Sequence, residues 1–159
     1  MEAYTVSLFG HREIDDLRQL EKQLIPIIKE LIRTKYYLVF LIGRNGEFDE
    51  YAASVIRRAR SEVGTESSEL CLVLPYSVSN IEFYEKYYDS IIIPQSVFGA
   101  HPKSCIGLKN RWMIEQSELV IVYVKHNRGG AYTAMSYAEK MGKTVINLCT
   151  DEAILPRDS

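Results

Sequence analysis

Cysteine is scarce and badly spaced for any covalent framework. Cys71, Cys105 and Cys149 are the three in 159 residues, far apart and odd in number, so they suit neither a disulfide scaffold nor a zinc knuckle. Cys71 sits in an apolar run and reads as a small buried hydrophobe. No apolar run approaches the ~20 residues of a membrane span. There is no internal repeat and no low-complexity tract. Charge of neither sign dominates. A net charge of −2 gives no electrostatic footprint for nucleic acid or an anionic membrane. His101 and His126 lack partners at metal-ligand spacing, so no metal is expected. The chain enters a strand almost at once, over Tyr4–Phe9, so no signal peptide is expected. These absences predict a cytoplasmic protein with neither a nucleic-acid nor a membrane partner.

What is present is an alternation of strands and helices. Hydrophobic residues make up 47% and charged residues 25%, an ordinary balance for a globular chain. The length fits one domain over residues 1–159. Thr5–Phe9 forms a first strand. A helix over Ile14–Arg33 carries Leu17, Leu20, Leu24, Ile27, Ile28 and Leu31 on one stripe. Pro26 lies within it and is expected to kink or split it. Leu38–Ile42 is a second strand, and Glu47–Glu62 a second helix. Leu70–Leu74 is a third strand, closed by Pro75. A short helix over Asn80–Lys86 follows, then a strand over Ser90–Ile93 and a helix over Pro102–Gln116. Five apolar residues, Val120 to Val124, suit a parallel strand covered on both faces. A helix over Ala131–Met141 and a last strand over Thr144–Leu148 complete the order. The pattern predicts an α/β fold: a single Rossmann-like domain with a mainly parallel sheet of about six strands and helices on both faces. Arg57-Arg58-Ala59-Arg60 reads as the solvated face of its helix.

Open α/β sheets bind ligands outside the carboxyl ends of their strands. At those ends stand Gly10-His11-Arg12, Gly43-Arg44-Asn45-Gly46 with Asp49, Tyr76 after Pro75, and Gly129-Gly130-Ala131-Tyr132-Thr133. The last group is the most informative. Its two glycines permit a sharp turn and a close approach, and the helix that follows points free N–H groups at the turn, where phosphate or carboxylate binds. Arg12 and Arg44 over one sheet edge would repel each other unless an anion lay between them, and their planar donors suit phosphate. Plainer readings stand beside these. Gly10 and Gly43 can serve only to leave the strand, His11 can be a hydrogen-bonded turn residue, and Asp49 can simply favour the first turn of its helix.

Ser7-Leu8-Phe9-Gly10-His11-Arg12, Gly43 to Asp49, Arg111-Trp112-Met113-Ile114-Glu115-Gln116-Ser117 and Gly129 to Met135 together resemble the YpsA-like group of the SLOG superfamily, named for Smf/DprA and LOG proteins. The resemblance runs from about Thr5 to Leu148. It implies a Rossmann-like fold that binds nucleotides or nucleotide-derived ligands at the strand ends. Arg111 matches the arginine of the LOG motif. The LOG-type phosphoribohydrolases follow their glycine turn with paired glutamates; here those positions are Met135 and Ser136. Nucleoside deoxyribosyltransferases keep a nucleophilic glutamate where this chain has Ala134. Cleavage of an N-glycosidic bond normally needs such a carboxylate.

The expectation is therefore a nucleotide-binding protein acting as sensor, carrier or sequestering protein, with no catalytic residue assigned. Gly129, Gly130 and Thr133 would contact phosphate, and Arg12, Arg44 and Arg111 would supply charge. Asp49 would hold a ribose hydroxyl, and Tyr76 or Tyr132 would stack on a base. Arg111 is expected to face the same cleft as the Gly129-Gly130 turn, the plainer reading being a surface pair with Glu115. The cofactor is an unspecified nucleotide or nucleotide-derived ligand, and a homo-oligomer is possible. Two alternatives stay open. One is an enzyme of nucleotide metabolism using a relocated carboxylate, Glu47, Asp49 or Glu115. The other is an interaction module without a small ligand, for which eleven tyrosines would suit a docking surface.

Overall fold

Every strand lies parallel to its neighbours, in a computed structural model that describes residues 2–149. The strands are β1 (Tyr4–Gly10), β2 (Leu38–Ile42), β3 (Ser68–Val73), β4 (Ser90–Ile92), β5 (Leu119–Tyr123) and β6 (Thr144–Asn147). Between them run α1 (Leu17–Thr34), α2 (Glu47–Val63), α3 (Ile81–Glu85), α4 (Pro102–Glu115) and α5 (Gly130–Lys140), with a 3-10 turn over Gln95–Val97. The sheet order is β4-β3-β2-β1-β5-β6. The chain builds outward from β1 to β4, then returns to the other side of β1. β1 and β5 therefore flank the point where the winding reverses, and a crevice opens beyond the carboxyl ends there.

Strand alternation divides the core between two faces. Val6, Leu8, Phe40, Ile42 and Ile121 pack against α1 and α2, beside Leu24, Ile28, Phe48 and Ile56. Phe9, Leu41, Val120 and Val122 point the other way, onto Met113 and Ile114 of α4 and Ala131, Ala134 and Ala138 of α5. All five residues of β5 are buried, as expected for a parallel strand covered on both sides. Cys71 is wholly buried in the second cluster, and burial pushes its thiol up to about 12, which suits a packing role.

Most boundaries move by one or two residues, and α1 departs from expectation in two respects. α1 begins at Leu17 rather than Ile14, because the Asp16 carboxylate accepts the Gln19 N–H at 3.0 Å and caps the helix there. Pro26 does not split α1, which is one helix over 18 residues. Pro26 is exposed, while Leu24, Ile27 and Ile28 beside it are buried, so packing of the apolar stripe outweighs the loss of one backbone donor. Of Arg57-Arg58-Ala59-Arg60, expected as a solvated face, Arg58 pairs with Glu21 at the surface, whereas Arg60, its side chain 11% exposed, pairs with Asp89 and bonds Ser68.

A buried polar contact fixes α4 on the sheet. The hydroxyls of Ser7 and Ser117 lie 2.6 Å apart, and both reach the Met113 carbonyl oxygen, at 2.9 and 2.7 Å. This ties the carboxyl end of α4 to β1 and sets the rotation of the helix about its axis.

Candidate functional site

The crevice at the β1/β5 reversal is a cleft of about 330 Å3. β1 supplies Gly10, and His11 and Arg12 follow it; the loop after β2 supplies Gly43 and Asn45. α2 supplies Asp49, α4 supplies Lys109 and Asn110, and the start of α5 supplies Gly129, Gly130 and Ala131. Three of the four loops expected at the carboxyl edge thus meet in one cavity.

Two glycines are there for space. A Cβ on Gly10 would collide with the Phe48 ring, and one on Gly46 would stand 2.5 Å from Arg12 Cα. α2 can therefore press its first turn against the end of β1, and Glu47 N–H donates to the Arg12 carbonyl at 2.9 Å.

The first turns of α2 and α5 both line the cleft, and they differ. The first turn of α2 holds Glu47, Asp49 and Glu50, and Asp49 Oδ2 accepts the Asn45 backbone N–H at 2.8 Å. Its positive end is already answered by carboxylates. α5 has no acid in its first turn and no side-chain cap; its N-cap is Gly129, at φ 93°. That backbone region favours glycine. Among the described residues, no acid and no side-chain cap answers the free N–H groups of its first turn, the kind of helix end where anions bind.

Lys109 decides the electrostatics of the cleft. It is 2% exposed, yet it lines the cavity. Burial pushes its ammonium below the ordinary lysine range, with Asp49 pulling the other way. Asp49, 8% exposed, is pushed up by burial against the opposing effects of the Asn45 N–H and Lys109. The two groups sense each other's charge but form no ion pair within 4.0 Å among the described residues. A buried ammonium without a contact partner is costly, and an anion in the cleft would offset that cost. Beside it the Asn110 side-chain oxygen is buried and without a hydrogen-bond partner.

His11 is held as a neutral ring. Its Nε2 accepts the backbone N–H groups of Lys125 at 2.8 Å and His126 at 3.3 Å. Burial first, then His126 and Lys125, lower its pKa. With Nε2 accepting, the neutral imidazole carries its proton on Nδ1. The plainer reading of His11 describes this contact, although the ring also lines the cleft.

Other expected site residues fall elsewhere. Arg44 turns toward α3, its guanidinium 5.6 Å from the Tyr84 ring centroid, so it does not share an anion with Arg12. Arg111 does not line the cleft; it lies over the Tyr137 ring at 5.6 Å, in a neighbouring groove between α4 and α5. Thr133 faces that groove too, its hydroxyl donating back to the Gly129 carbonyl at 3.1 Å. Tyr76 is 49% exposed and outside the cleft. Tyr132 packs against the second core cluster. Of the three carboxylates considered for catalysis, only Asp49 lines the cleft. Glu47 accepts the Ile14 N–H and Glu115 accepts the Tyr137 hydroxyl.

Lys109 and Asn110 were absent from the expected set. A signal for Lys109 existed: it falls at the middle of the spacing Cys105, Lys109, Met113, all buried. A lysine in phase with an apolar stripe is a buried lysine.

No known family profile matches this chain, and no curated protein sequence does. Solved structures do. DNA processing protein A (DprA) from Streptococcus pneumoniae superposes with a TM-score of 0.66 at 17% identity, over 91% of this chain and 50% of that one. DNA processing protein A from Helicobacter pylori, described for its single-stranded DNA binding mode, gives 0.59 at 16%, over 91% and 64%. The molybdenum cofactor carrier protein of Chlamydomonas reinhardtii gives 0.57 at 16%, over 92% and 76%. What these structures share with this chain is the fold, a single Rossmann-like α/β domain. This chain spans about half the length of the S. pneumoniae protein and 64% of the H. pylori one.

The comparison corrects one expectation. Nucleic acid was excluded on net charge, yet DNA processing protein A of the same fold binds single-stranded DNA. Net charge averages over the surface, whereas a phosphate responds to the groups within about a Debye length, roughly 10 Å. Among the described residues no group of three or more His, Cys, Asp or Glu is placed to hold a metal ion, and no helix is long and apolar enough to cross a membrane.

Proposed function

We propose that this chain, a member of the YpsA-like SLOG group, binds a phosphorylated nucleotide or nucleotide-derived ligand in the β1/β5 cleft. It acts as a sensor, carrier or sequestering protein in a reducing, cytoplasmic setting. The observation that carries the reading is Lys109, 2% exposed as a residue and with no ion pair or hydrogen bond for its ammonium among the described residues, in a cleft that also receives the uncapped start of α5. The phosphate sits between Lys109 and the N–H groups at Gly130 and Ala131, with Arg12 at the mouth. Asn45, Asn110 and the His11 ring offer hydrogen bonds to sugar or base. The single-stranded DNA of the H. pylori protein falls within the same ligand chemistry. No glycosidic bond is broken, because Ala134 is buried, Met135 packs against the core and Ser136 lines the other groove.

Thermal shift with nucleoside mono- and diphosphates, NAD+, ADP-ribose and short single-stranded DNA tests this. A ligand at 100 times its Kd should stabilise the fold by about 2.7 kcal/mol, and Lys109→Met should abolish the shift. Stabilisation that survives Lys109→Met would remove the basis of the reading, as would a panel with no shift at all. Release of free base at about 1 s⁻¹ or faster, an ordinary enzyme rate, would instead favour an enzyme; loss of that rate in Asp49→Asn would name its carboxylate.

A further inference from the structure

Between α4 and α5 lies a second groove, about 450 Å3 in volume. It adjoins the cleft: Ile106, Asn110 and Gly130 line both. Each cavity alone is of the size that takes a small ligand. The two helices turn matching faces to it. On α4 the lining residues recur three and four apart, from Lys103 through Ile106 and Asn110 to Ile114. On α5, Thr133, Ser136, Tyr137 and Lys140 do the same.

The chemistry of the groove is one-sided. Lys103, Arg111 and Lys140 line it, and among the described residues no carboxylate does. Its floor holds Ile114 and Ala134, both buried. Tyr137 is held in place by its hydroxyl, which donates to Glu115 at 2.6 Å. The Arg111 guanidinium rests over that ring, a planar pair of the kind on which bases stack. At the junction with the cleft stands Asn110, a residue that lines both cavities.

We propose that the ligand is at least two phosphate-linked nucleoside units long. The first phosphate occupies the cleft, and the second unit lies in the α4–α5 groove with its phosphate among Lys103, Arg111 and Lys140. A ligand with one phosphate would leave the three cations of the groove unused. The inference rests on the function proposed above, and its test separates the two.

Equilibrium titration of the whole chain, by fluorescence anisotropy or calorimetry, would use thymidine 5′-monophosphate, the 5′-phosphorylated dinucleotide pdTpdT, NAD+ and a 5′-phosphorylated dT6 strand. A linked ligand should bind about tenfold or more tightly than the monophosphate, the worth of one charged hydrogen bond. The Arg111→Glu/Lys140→Glu variant should lose that gain and keep monophosphate affinity within about twofold, because neither side chain reaches the cleft. For dT6 the slope of log affinity against log salt should flatten by about 1.4, roughly 0.7 for each cation removed. Preference for NAD+ would assign a free dinucleotide, and preference for dT6 a strand; both carry the proposal. Equal affinity for one unit and two would overturn it and leave the cleft reading intact. So would a variant that changes the oligomeric state in sedimentation but not the affinity for linked ligands, since the groove would then belong to a second copy of the chain. Absence of binding by all four probes would overturn both readings.

Discussion

Lys109 occupies the space that a side chain at residue 43 would need. A Cβ on Gly43 would stand 2.7 Å from Lys109 Nζ and 3.2 Å from Asp49 Oδ2. Gly43 is not at positive φ, so it is glycine because of this crowding rather than backbone conformation. The absence of a side chain on β2's exit is what lets a cation from α4 reach the cleft.

Gly43→Ala should therefore push the ammonium aside. Ligand affinity should fall by about 1.5–3 kcal/mol, the contribution of a charged hydrogen bond. Stability should fall by about 1–3 kcal/mol from overpacking. Most of that stability loss should vanish in a Lys109→Ala background, where the crowded atom is gone, so the two substitutions should be strongly non-additive. Urea unfolding of the four proteins in the cycle measures this. Equal costs in both backgrounds would mean that the crowding does not involve Lys109.

Asp49 makes a pH-dependent prediction. Burial raises its folded pKa above the ordinary 3.8. The folded state then holds the proton longer than the unfolded chain, so this group's contribution to stability is complete below about 3.8. It is lost as pH rises through the raised folded value. Asp49→Asn removes the charge and keeps an oxygen for the Asn45 N–H. The variant should be more stable than wild type at pH 7 by about 0.5–2 kcal/mol, the usual range for a stabilising substitution. That advantage should shrink toward zero near pH 3, within the range where a carboxyl protonates. Unfolding midpoints that differ equally at both pH values would contradict a charge effect.

His11 titrates in the opposite sense. Its folded pKa lies below 6.5, through burial and through His126 and Lys125. The neutral ring's contribution is present above 6.5 and is lost as pH falls through the lowered value. Protonation removes the acceptor that Nε2 offers to Lys125 and His126. In NMR titrations the amides of Lys125 and His126 should shift with the His11 ring, with one midpoint below 6.5. His126→Asn should move that midpoint upward, since the residue whose electrostatic effect lowers it is lost. A His11 midpoint at or above 6.5 in wild type would contradict the placement of the ring.

The residues that were legible in advance are those whose role is local. Val120 to Val124 and the Gly129-Gly130 turn announce a strand, a turn and a helix start within eleven positions, and the reversal at β1/β5 then brings Gly10-His11-Arg12 beside them. The residues that were misplaced have their direction set by distant partners. Arg44 is turned by Tyr84 of α3 and Arg111 by Tyr137 of α5, neither of which is a sequence neighbour. Lys109 was overlooked because lysine is usually a surface residue; its phase with Cys105 and Met113 outweighs that habit. The expected exclusion of nucleic acid is overturned by the comparison with DNA processing protein A; net charge was a poor guide because a sum over 159 residues says nothing of how charge is distributed, here with three cations lining one groove.

The uncapped start of α5 can be tested by supplying the missing anion. Gly130 is the first residue of α5, is not at positive φ, and has nothing within 4 Å of where a Cβ would sit. Gly130→Asp therefore fits without strain and brings a carboxylate to the positive end of the helix. That should stabilise the free protein by about 0.3–1 kcal/mol, and replacing glycine adds a few tenths more through the unfolded chain. The same carboxylate would stand where the ligand phosphate binds and repel it, so affinity should drop. Gly130→Ala is the control: it shares the backbone effect, lacks the charge, and should leave affinity within a few-fold. Stability and affinity moving in opposite directions in Gly130→Asp, but not in Gly130→Ala, is the signature of an anion site at this helix end. If both variants bind the ligand as wild type does, the phosphate does not sit at α5 and the cleft is occupied in another orientation.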